Sequence, residues 1–404
     1  MNILTLPKWR TIGLLALAEL FSMAVWFSAS AVVPALTDAW QLTDAGRAGL
    51  TMSVQIGFVI GAFGSALFNL ADRWPVRWFF AGSALLAALT TALIPATAGG
   101  LTAALILRLL TGIFLAGVYP VGMKIVATWT KADRGLGIGL LVAALTLGSA
   151  LPHLLNLFGG VGDWRRVLYL AAGLAALGAL IAALFIQEGP YRSIAPKFNW
   201  RYVGQIWQER DLVLVNLGYL GHMWELYAMW TWAPIFLAAS FAAAGVDARW
   251  ASLAAFGMIA AGGVGSWWAG ALADRFGRTT LTIASLAISG ICALTVGFFF
   301  GGNPWLVAFI CLIWGFAVVA DSAQFSAALS ELSRSAYVGT ALTLQTSFGF
   351  LLTLVSIRLV PWIEPWVGWS GAFAVLALGP LLGILAMAAL RVSPAVAHLA
   401  GGRG

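Results

Sequence analysis

The stretch that decides the fold is GALADRFGR at residues 270–278, which lies between two long apolar runs. Part of it, LADR at 272–275, also occurs at 70–73. The two copies are separated by half of the 404-residue chain, and each follows the second apolar run of its half. A repeat at half the chain length indicates a duplicated unit. We therefore expect two halves that share one architecture.

The amino-acid composition indicates whether this chain is surrounded by water or by lipid. Apolar residues make up 61% of the sequence and charged residues 9%, whereas soluble domains carry about 25% charged residues. Since so few charges cannot cover a water-facing surface, we expect the chain to lie in lipid. Cutting it at clusters of charges and turn residues gives twelve runs near the roughly 20 residues that span a bilayer. These are 11–33, 47–69, 78–97, 101–128, 136–157, 166–186, 212–238, 249–271, 279–300, 304–328, 337–360 and 370–391.

The longest polar segment, 187–211, divides these runs into two sets of six. It predicts an N-terminal lobe at 1–190, a cytoplasmic linker at 191–211 and a C-terminal lobe at 212–404. Most of the 22 lysines and arginines fall on the side of the spans that holds both termini. The positive-inside rule therefore predicts cytoplasmic termini. We expect a multi-pass monomer of the inner membrane that contacts lipid and no nucleic acid.

The motif at 270–278 resembles the Gly-x-Leu-Ala-Asp-Arg-x-Gly-Arg loop of the major facilitator superfamily, which joins the second and third helices of a lobe. A second likeness is the helix-4 pattern of Arg108, Gly112, Ala116 and Pro120. This resemblance implies an all-α integral membrane protein with twelve transmembrane helices in two pseudo-symmetric six-helix lobes. It also implies secondary transport by alternating access.

The resemblance further implies a cytoplasmic gate at the two loop motifs. Gly270 is expected to permit close helix contact and Gly277 a tight turn. The first copy departs from the family pattern, because Phe68 and Pro75 stand where glycines belong. We expect ion pairs between Asp321 and one of the nearby arginines, and between Lys124 and Asp72. The expected gating residues are Asp72, Arg73, Gly270, Asp274, Arg275, Gly277, Arg278, Lys124 and Asp321.

Two charged residues lie inside predicted spans of the first half. Each ionisable group in hydrocarbon costs about 2.5–3.5 kcal/mol or more, so each needs a reason. Glu19 lies near the middle of the first span, and Arg108 lies inside the fourth. Because both helices line the central cavity in the resembled family, we expect the two side chains to face each other. A site for substrate or proton and a structural ion pair both remain open.

The seventh span carries His222 and Glu225, which share a helix face because they are three residues apart. Since histidine exchanges protons near neutral pH, the pair is either the coupling proton site or a buried hydrogen-bonded pair. Uncharged polar and aromatic residues are further candidates, with helix packing as the alternative. The expected cavity residues are Glu19, Arg108, His222, Glu225, Gln55, Gln345, Trp26 and Trp224.

The sequence contains no nucleotide-binding loop, nucleophile constellation or metal cluster, so we expect no enzyme and no cofactor. Cys292 and Cys311 both lie in apolar runs. The leading expectation is a proton-coupled transporter of a small organic solute. Uptake of an anion anchored by Arg108 and export of a lipophilic or cationic compound anchored by Glu19 both remain open. The alternative class is a membrane-embedded receptor or enzyme without transport activity.

Overall fold

A computed structural model describes residues 7–97, 99–130, 134–159, 163–191, 200–334 and 337–404. This part of the chain is helical with short connections and contains no strand. Helices suit apolar runs in lipid because they satisfy their backbone hydrogen bonds internally. The chain forms two compact units, Met1–Ala195 and Pro196–Gly404. Of the predicted linker, 192–199 lies outside the described residues, Trp200–Ile206 is helical, and the next helix begins at Arg210.

The helices of the first unit are α1 (Pro7–Met23), α2 (Val33–Trp40), α3 (Asp44–Phe68), α4 (Leu70–Arg73), α5 (Val76–Thr97), α6 (Leu101–Leu115), α7 (Tyr119–Trp129), α8 (Arg134–Gly159) and α9 (Trp164–Phe185). Those of the second are α10 (Trp200–Ile206), α11 (Arg210–Ala243), α12 (Ala248–Phe276), α13 (Arg278–Thr295), α14 (Pro304–Ala320), α15 (Ser322–Leu332), α16 (Val338–Ala372) and α17 (Leu378–Arg391).

Within the described residues, eleven helical stretches are long and apolar enough to cross a membrane. The first predicted span is the exception. The expectation of one helix over 11–33 is wrong, because α1 ends at Met23 and the chain continues through a 3-10 turn at Ser30–Val32 into α2. The carbonyl oxygens at this break find other donors, which is what lipid requires of broken helices. The first predicted span thus falls in the interrupted stretch 7–40.

Two further predicted spans are each made of two helices. The span at 101–128 consists of α6 and α7, which meet at residues 116–118, and the span at 304–328 consists of α14 and α15, which meet at Asp321. The two breaks lie about half a chain length apart. The repeat that the sequence predicts therefore extends to interruptions in the backbone. The eleventh span is longer than expected, since its helix runs to Gly368, where non-helical angles (φ 66°, ψ 179°) separate it from a further helical turn that ends at Ala372.

Within each unit, helices at equivalent positions pack against each other in the same pairs. In the first unit α3 packs on α6 and α1 on α9, and in the second α12 packs on α14 and α11 on α17. Close backbone approach supports the α3–α6 pair, since a Cβ at Gly57 would collide with the Leu109 carbonyl. A Cβ at Gly315 would likewise collide with the Met258 carbonyl in the α12–α14 pair. A Cβ at Gly61 would collide with the Ile113 carbonyl, so Gly57 and Gly61 together form a glycine packing face on α3.

Candidate transport site

Arg108 lies on α6 and is fully buried. Its Nε donates to the Leu50 carbonyl at 3.2 Å and its Nη1 to the Val25 carbonyl at 2.7 Å. Nη2 donates to the Trp26 carbonyl. Val25 and Trp26 lie in the break after α1, where carbonyls lack the usual donor four residues on. The guanidinium therefore supplies the hydrogen bonds that the broken helix loses.

Glu19 lies on α1, just over one turn before the break, with 0% of its surface exposed. Neither carboxyl oxygen has a hydrogen-bond partner among the described residues. Gly122 on α7 lies beside the carboxyl group, since an added Cβ there would lie 2.9 Å from Glu19 Oε2. An unpaired buried carboxylate is costly, so the group needs a proton or an external partner.

The expectation that Glu19 and Arg108 face each other as a pair is wrong. Each described nitrogen bond of Arg108 goes to an oxygen of the backbone or of Ser28, and Glu19 has no described partner. The reason is the break in the first span, which offers the arginine several carbonyl oxygens at close range. Sequence patterns did not show this break, because its residues are as apolar as the helix around it.

Glu225 on α11 is also fully buried, but both of its oxygens accept hydrogen bonds. Trp314 Nε1 on α14 donates to Oε1 at 2.7 Å, and Ser289 Oγ on α13 donates to Oε2 at 2.8 Å. Neither donor was among the expected site residues. A single buried serine or tryptophan has no distinctive sequence pattern, so only the packing of three helices identifies them.

His222 contacts Asp321. The expected pairing of His222 with Glu225 and that of Asp321 with a nearby arginine are therefore wrong. His222 Nδ1 lies 2.8 Å from Asp321 Oδ1, and each side chain is 1% exposed. The atoms are within ion-pair distance, although their approach departs from the alignment of a directional hydrogen bond. Asp321 is placed there by the break between α14 and α15, which turns it toward α11. We found no pairing of His222 with Glu225 in the described part of the chain.

The second loop motif ends α12 and begins α13. Gly277 has a positive φ of 87° between the two helices, so the expected tight turn is confirmed. Arg278 pairs with Glu331 on α15, with Nη2 to Oε1 at 2.5 Å, and donates to Gln324 at 2.7 Å. The expected bond of this arginine to Asp321 is wrong because Glu331 lies closer to the end of the helix. A Cβ at Gly270 would meet nothing within 4 Å, so its expected close contact is wrong as well.

The first loop motif has a different backbone. α3 ends at Phe68, and Asn69 has a positive φ of 47° before the short helix α4. Lys124 Nζ on α7 donates to the Ala71 carbonyl at 2.7 Å. The side chains of Asp72 and Asp274 lie outside the described residues, and with them the expected Lys124–Asp72 pair. Arg73 and Arg275 are exposed.

The remaining expected cavity residues connect helices within their own unit. Gln345 on α16 donates to Asn216 on α11 at 3.3 Å. Trp224 Nε1 donates to the Val375 carbonyl at 3.1 Å. Trp26 packs edge-on against Phe58 at 5.0 Å, and Gln55 is buried in α3. Among the residues that were searched, no cluster of metal ligands occurs.

The structure is that of a helical membrane protein with two matching units, each of which contains buried carboxylates. A model of the Major Facilitator Superfamily matches residues 15–355, which is most of the chain. The chain belongs to this superfamily. A superfamily member of this kind is a secondary transporter of small solutes rather than an enzyme. The resemblance seen in the loop motif and the expected fold class are therefore confirmed.

Several known superfamily members resemble the chain. It is 25% identical to the niacin transporter NiaP of Acinetobacter baylyi over 329 residues, which cover 70% of each protein. It is 28% identical to a putative niacin/nicotinamide transporter NiaP of Bacillus subtilis over 234 residues, covering 56% of this chain and 57% of that protein. A crystal structure of a variant of the nucleoside transporter NupG has a TM-score of 0.70 with 15% identity, covering 94% of this chain and 99% of that one. This last likeness shows the fold.

Proposed function

We propose that this chain is a proton-coupled transporter that takes up a small heteroaromatic solute of the niacin class. The observation that carries the proposal is Glu19, a fully buried carboxyl group without a described partner. A protonated carboxyl offers one O–H donor and an acceptor oxygen. A pyridine nitrogen, a carboxylate or a carboxamide accepts from that donor. The two NiaP relatives support a solute of this class.

Coupling follows from the cost of the buried charge. Glu19 bears no net charge while it holds a proton, and the unit can then close around it. Loss of the proton leaves a carboxylate in a site without described donors, so the open, hydrated arrangement becomes favoured. Proton binding thereby biases one state of the alternating-access cycle. The distribution of lysine and arginine supports cytoplasmic termini and a site in the inner membrane, and we further propose that the monomer is the working unit.

A second candidate is export of a lipophilic cation, which the same geometry favours for a different reason. Because the guanidinium of Arg108 donates hydrogen bonds to backbone carbonyls, it does not act as a positive anchor for an anion. An ionised Glu19 without a described counter-charge attracts a cation in lipid. The two candidates use the proton in opposite ways. In uptake the solute binds together with the proton on Glu19, whereas in export the cation replaces that proton.

The experiment that separates them uses purified protein reconstituted in liposomes with an inwardly directed proton gradient. Uptake of labelled nicotinate and nicotinamide is compared between wild type, Glu19→Gln and the exposed control Glu209→Gln. Gradient-driven uptake in wild type and control that is lost in Glu19→Gln supports the proposal. Without such uptake, thermal stabilisation by lipophilic cations that disappears in Glu19→Gln supports export. If neither effect depends on Glu19, its assignment as the solute site is overturned.

A further inference from the structure

We propose that the second unit holds a separate proton-binding centre, in which the His222–Asp321 pair exchanges the proton while Ser289 and Trp314 hold the neighbouring Glu225 in place. The inference rests on the proton coupling proposed above and names a second place where a proton is carried. It differs from the expected His222–Glu225 pair, because the described contact of His222 is with Asp321 at 2.8 Å.

Glu225 takes up a proton in this arrangement only if one of its two donors is displaced or reversed. Its two oxygens accept from Trp314 and Ser289, which come from α14 and α13. A proton on Oε1 displaces the Trp314 N–H, whereas a proton on Oε2 requires the Ser289 hydroxyl to turn from donor to acceptor. The tryptophan N–H cannot reverse its role, because indole is a donor only. Ser289 and Trp314 are therefore positioning residues that fix the carboxyl between α11, α13 and α14.

His222 and Asp321 have the opposite property. With one proton between them the buried pair has no net charge, either as an ion pair or as two neutral groups. Loss of that proton leaves a lone carboxylate at 1% exposure, which is strongly unfavourable without water. The proton passes from the pair to a water molecule, and the charge of the pair falls from zero to minus one. Release is therefore tied to hydration of the site.

The position of Asp321 connects this proton to a moving part. Asp321 is the single residue between α14 and α15, ending one helix and beginning the other. Its backbone oxygen accepts from the Gln324 N–H at 2.9 Å in the first turn of α15. Asp321 keeps helical backbone angles (φ −84°, ψ −16°), and residues at helix ends of this kind can absorb the angle changes of a hinge. Tilting of α15 at this hinge separates Asp321 from α11 and admits water.

Other titratable groups surround the pair. The Glu225 carboxyl lies near Asp321, and the Tyr219 ring lies 6.0 Å from the His222 ring. Cys292 on α13 and Cys311 on α14 are close to this centre. The remaining described charged residues on the helices around it form no ion pair or hydrogen bond with His222 or Asp321. They are Arg210, Asp211, Arg249, Arg275, Arg278, Glu331, Arg358, Glu364 and Arg391.

The test needs no solute. Infrared difference spectra of the purified protein between acidic and alkaline pH show which carboxyl group gains a proton. In a Glu19→Gln background, which removes the other proposed proton carrier, we expect a carboxylic-acid band that disappears in Asp321→Asn and shifts its pH midpoint in His222→Gln. Trp314→Phe and Ser289→Ala add a second band from the released Glu225. The matched controls Trp232→Phe, whose indole donates to the Ile357 carbonyl at 2.8 Å, and Ser285→Ala keep the wild-type spectrum.

Transport adds a readout that a structural role would not move. Asp321→Asn is expected to lose gradient-driven nicotinate uptake about tenfold while exchange across liposomes without a gradient stays within about twofold. A band that survives in Asp321→Asn and vanishes in Glu225→Gln overturns the inference and puts the proton on Glu225. Absence of nicotinate uptake in wild type overturns the proposed solute, yet leaves the infrared assignment valid.

Discussion

The buried carboxylates of the two units differ in their surroundings. In the first unit Glu19 is buried and has no described hydrogen-bond partner, while in the second Glu225 accepts two hydrogen bonds. In the first unit, the guanidinium of Arg108 donates hydrogen bonds to carbonyls of the broken first span and not to Glu19. A duplicated architecture has thus placed two acids in equivalent helices, one without described partners and one held by its neighbours.

The backbone explains this difference. α11 is continuous for 34 residues, whereas its counterpart breaks after the 17 residues of α1. The position half a chain after Glu19 is Gly221, which packs closely on Gly379 of α17. The acid of the second unit has moved one turn along, to Glu225, where it meets α13 and α14. Helices at equivalent positions in the two units therefore need not carry the same chemistry, and the breaks in these helices must be compared as well.

The largest expected effect comes from Arg108→Ala. The change leaves the carbonyls of Val25, Trp26 and Leu50 without this donor inside lipid, which costs about 3 kcal/mol or more. We expect the purified variant to unfold at a clearly lower temperature or to be lost from the membrane. Thermal unfolding followed by size-exclusion chromatography measures this. A variant as stable as wild type that lacks transport would instead make Arg108 a solute-binding residue.

An intermediate effect distinguishes the two acids directly. Glu225→Gln keeps an acceptor for Trp314 but presents its N–H₂ to Ser289, whose hydroxyl must turn from donor to acceptor, so we expect a loss of about 1 kcal/mol of stability. Glu19→Gln removes no described hydrogen bond and is expected to be neutral or slightly stabilising, because a buried charge is lost. Both are measured by thermal unfolding at the same pH. Equal destabilisation by the two changes would show that Glu19 has a partner.

Much of the fold follows from the sequence, because lipid imposes simple requirements. Apolar length gives the spans, and the LADR repeat gives the two halves. The breaks at residues 24–29, 116–118 and 321 were not predicted, and at the first of them Arg108 supplies donors from another helix, which local composition does not reveal. For the same reason the buried charged residues were correctly selected but wrongly paired. Arg108 and Asp321 each bind at a break that the sequence does not show.

The smallest expected effect tests the space beside Glu19. Gly122→Ala puts a methyl group about 3 Å from Glu19 Oε2 and from Leu141, so the carboxyl must shift by a few tenths of an ångström. We expect transport to fall severalfold with less than about 1 kcal/mol lost in stability. The matched control is Gly173→Ala on α9, where an added Cβ meets nothing within 4 Å and alanine favours the helix. Similar transport in both variants, measured in the liposome assay, would mean that the carboxyl of Glu19 need not keep its place for transport. The first unit would then use its buried acid only to weaken the closed state, and the solute would bind elsewhere.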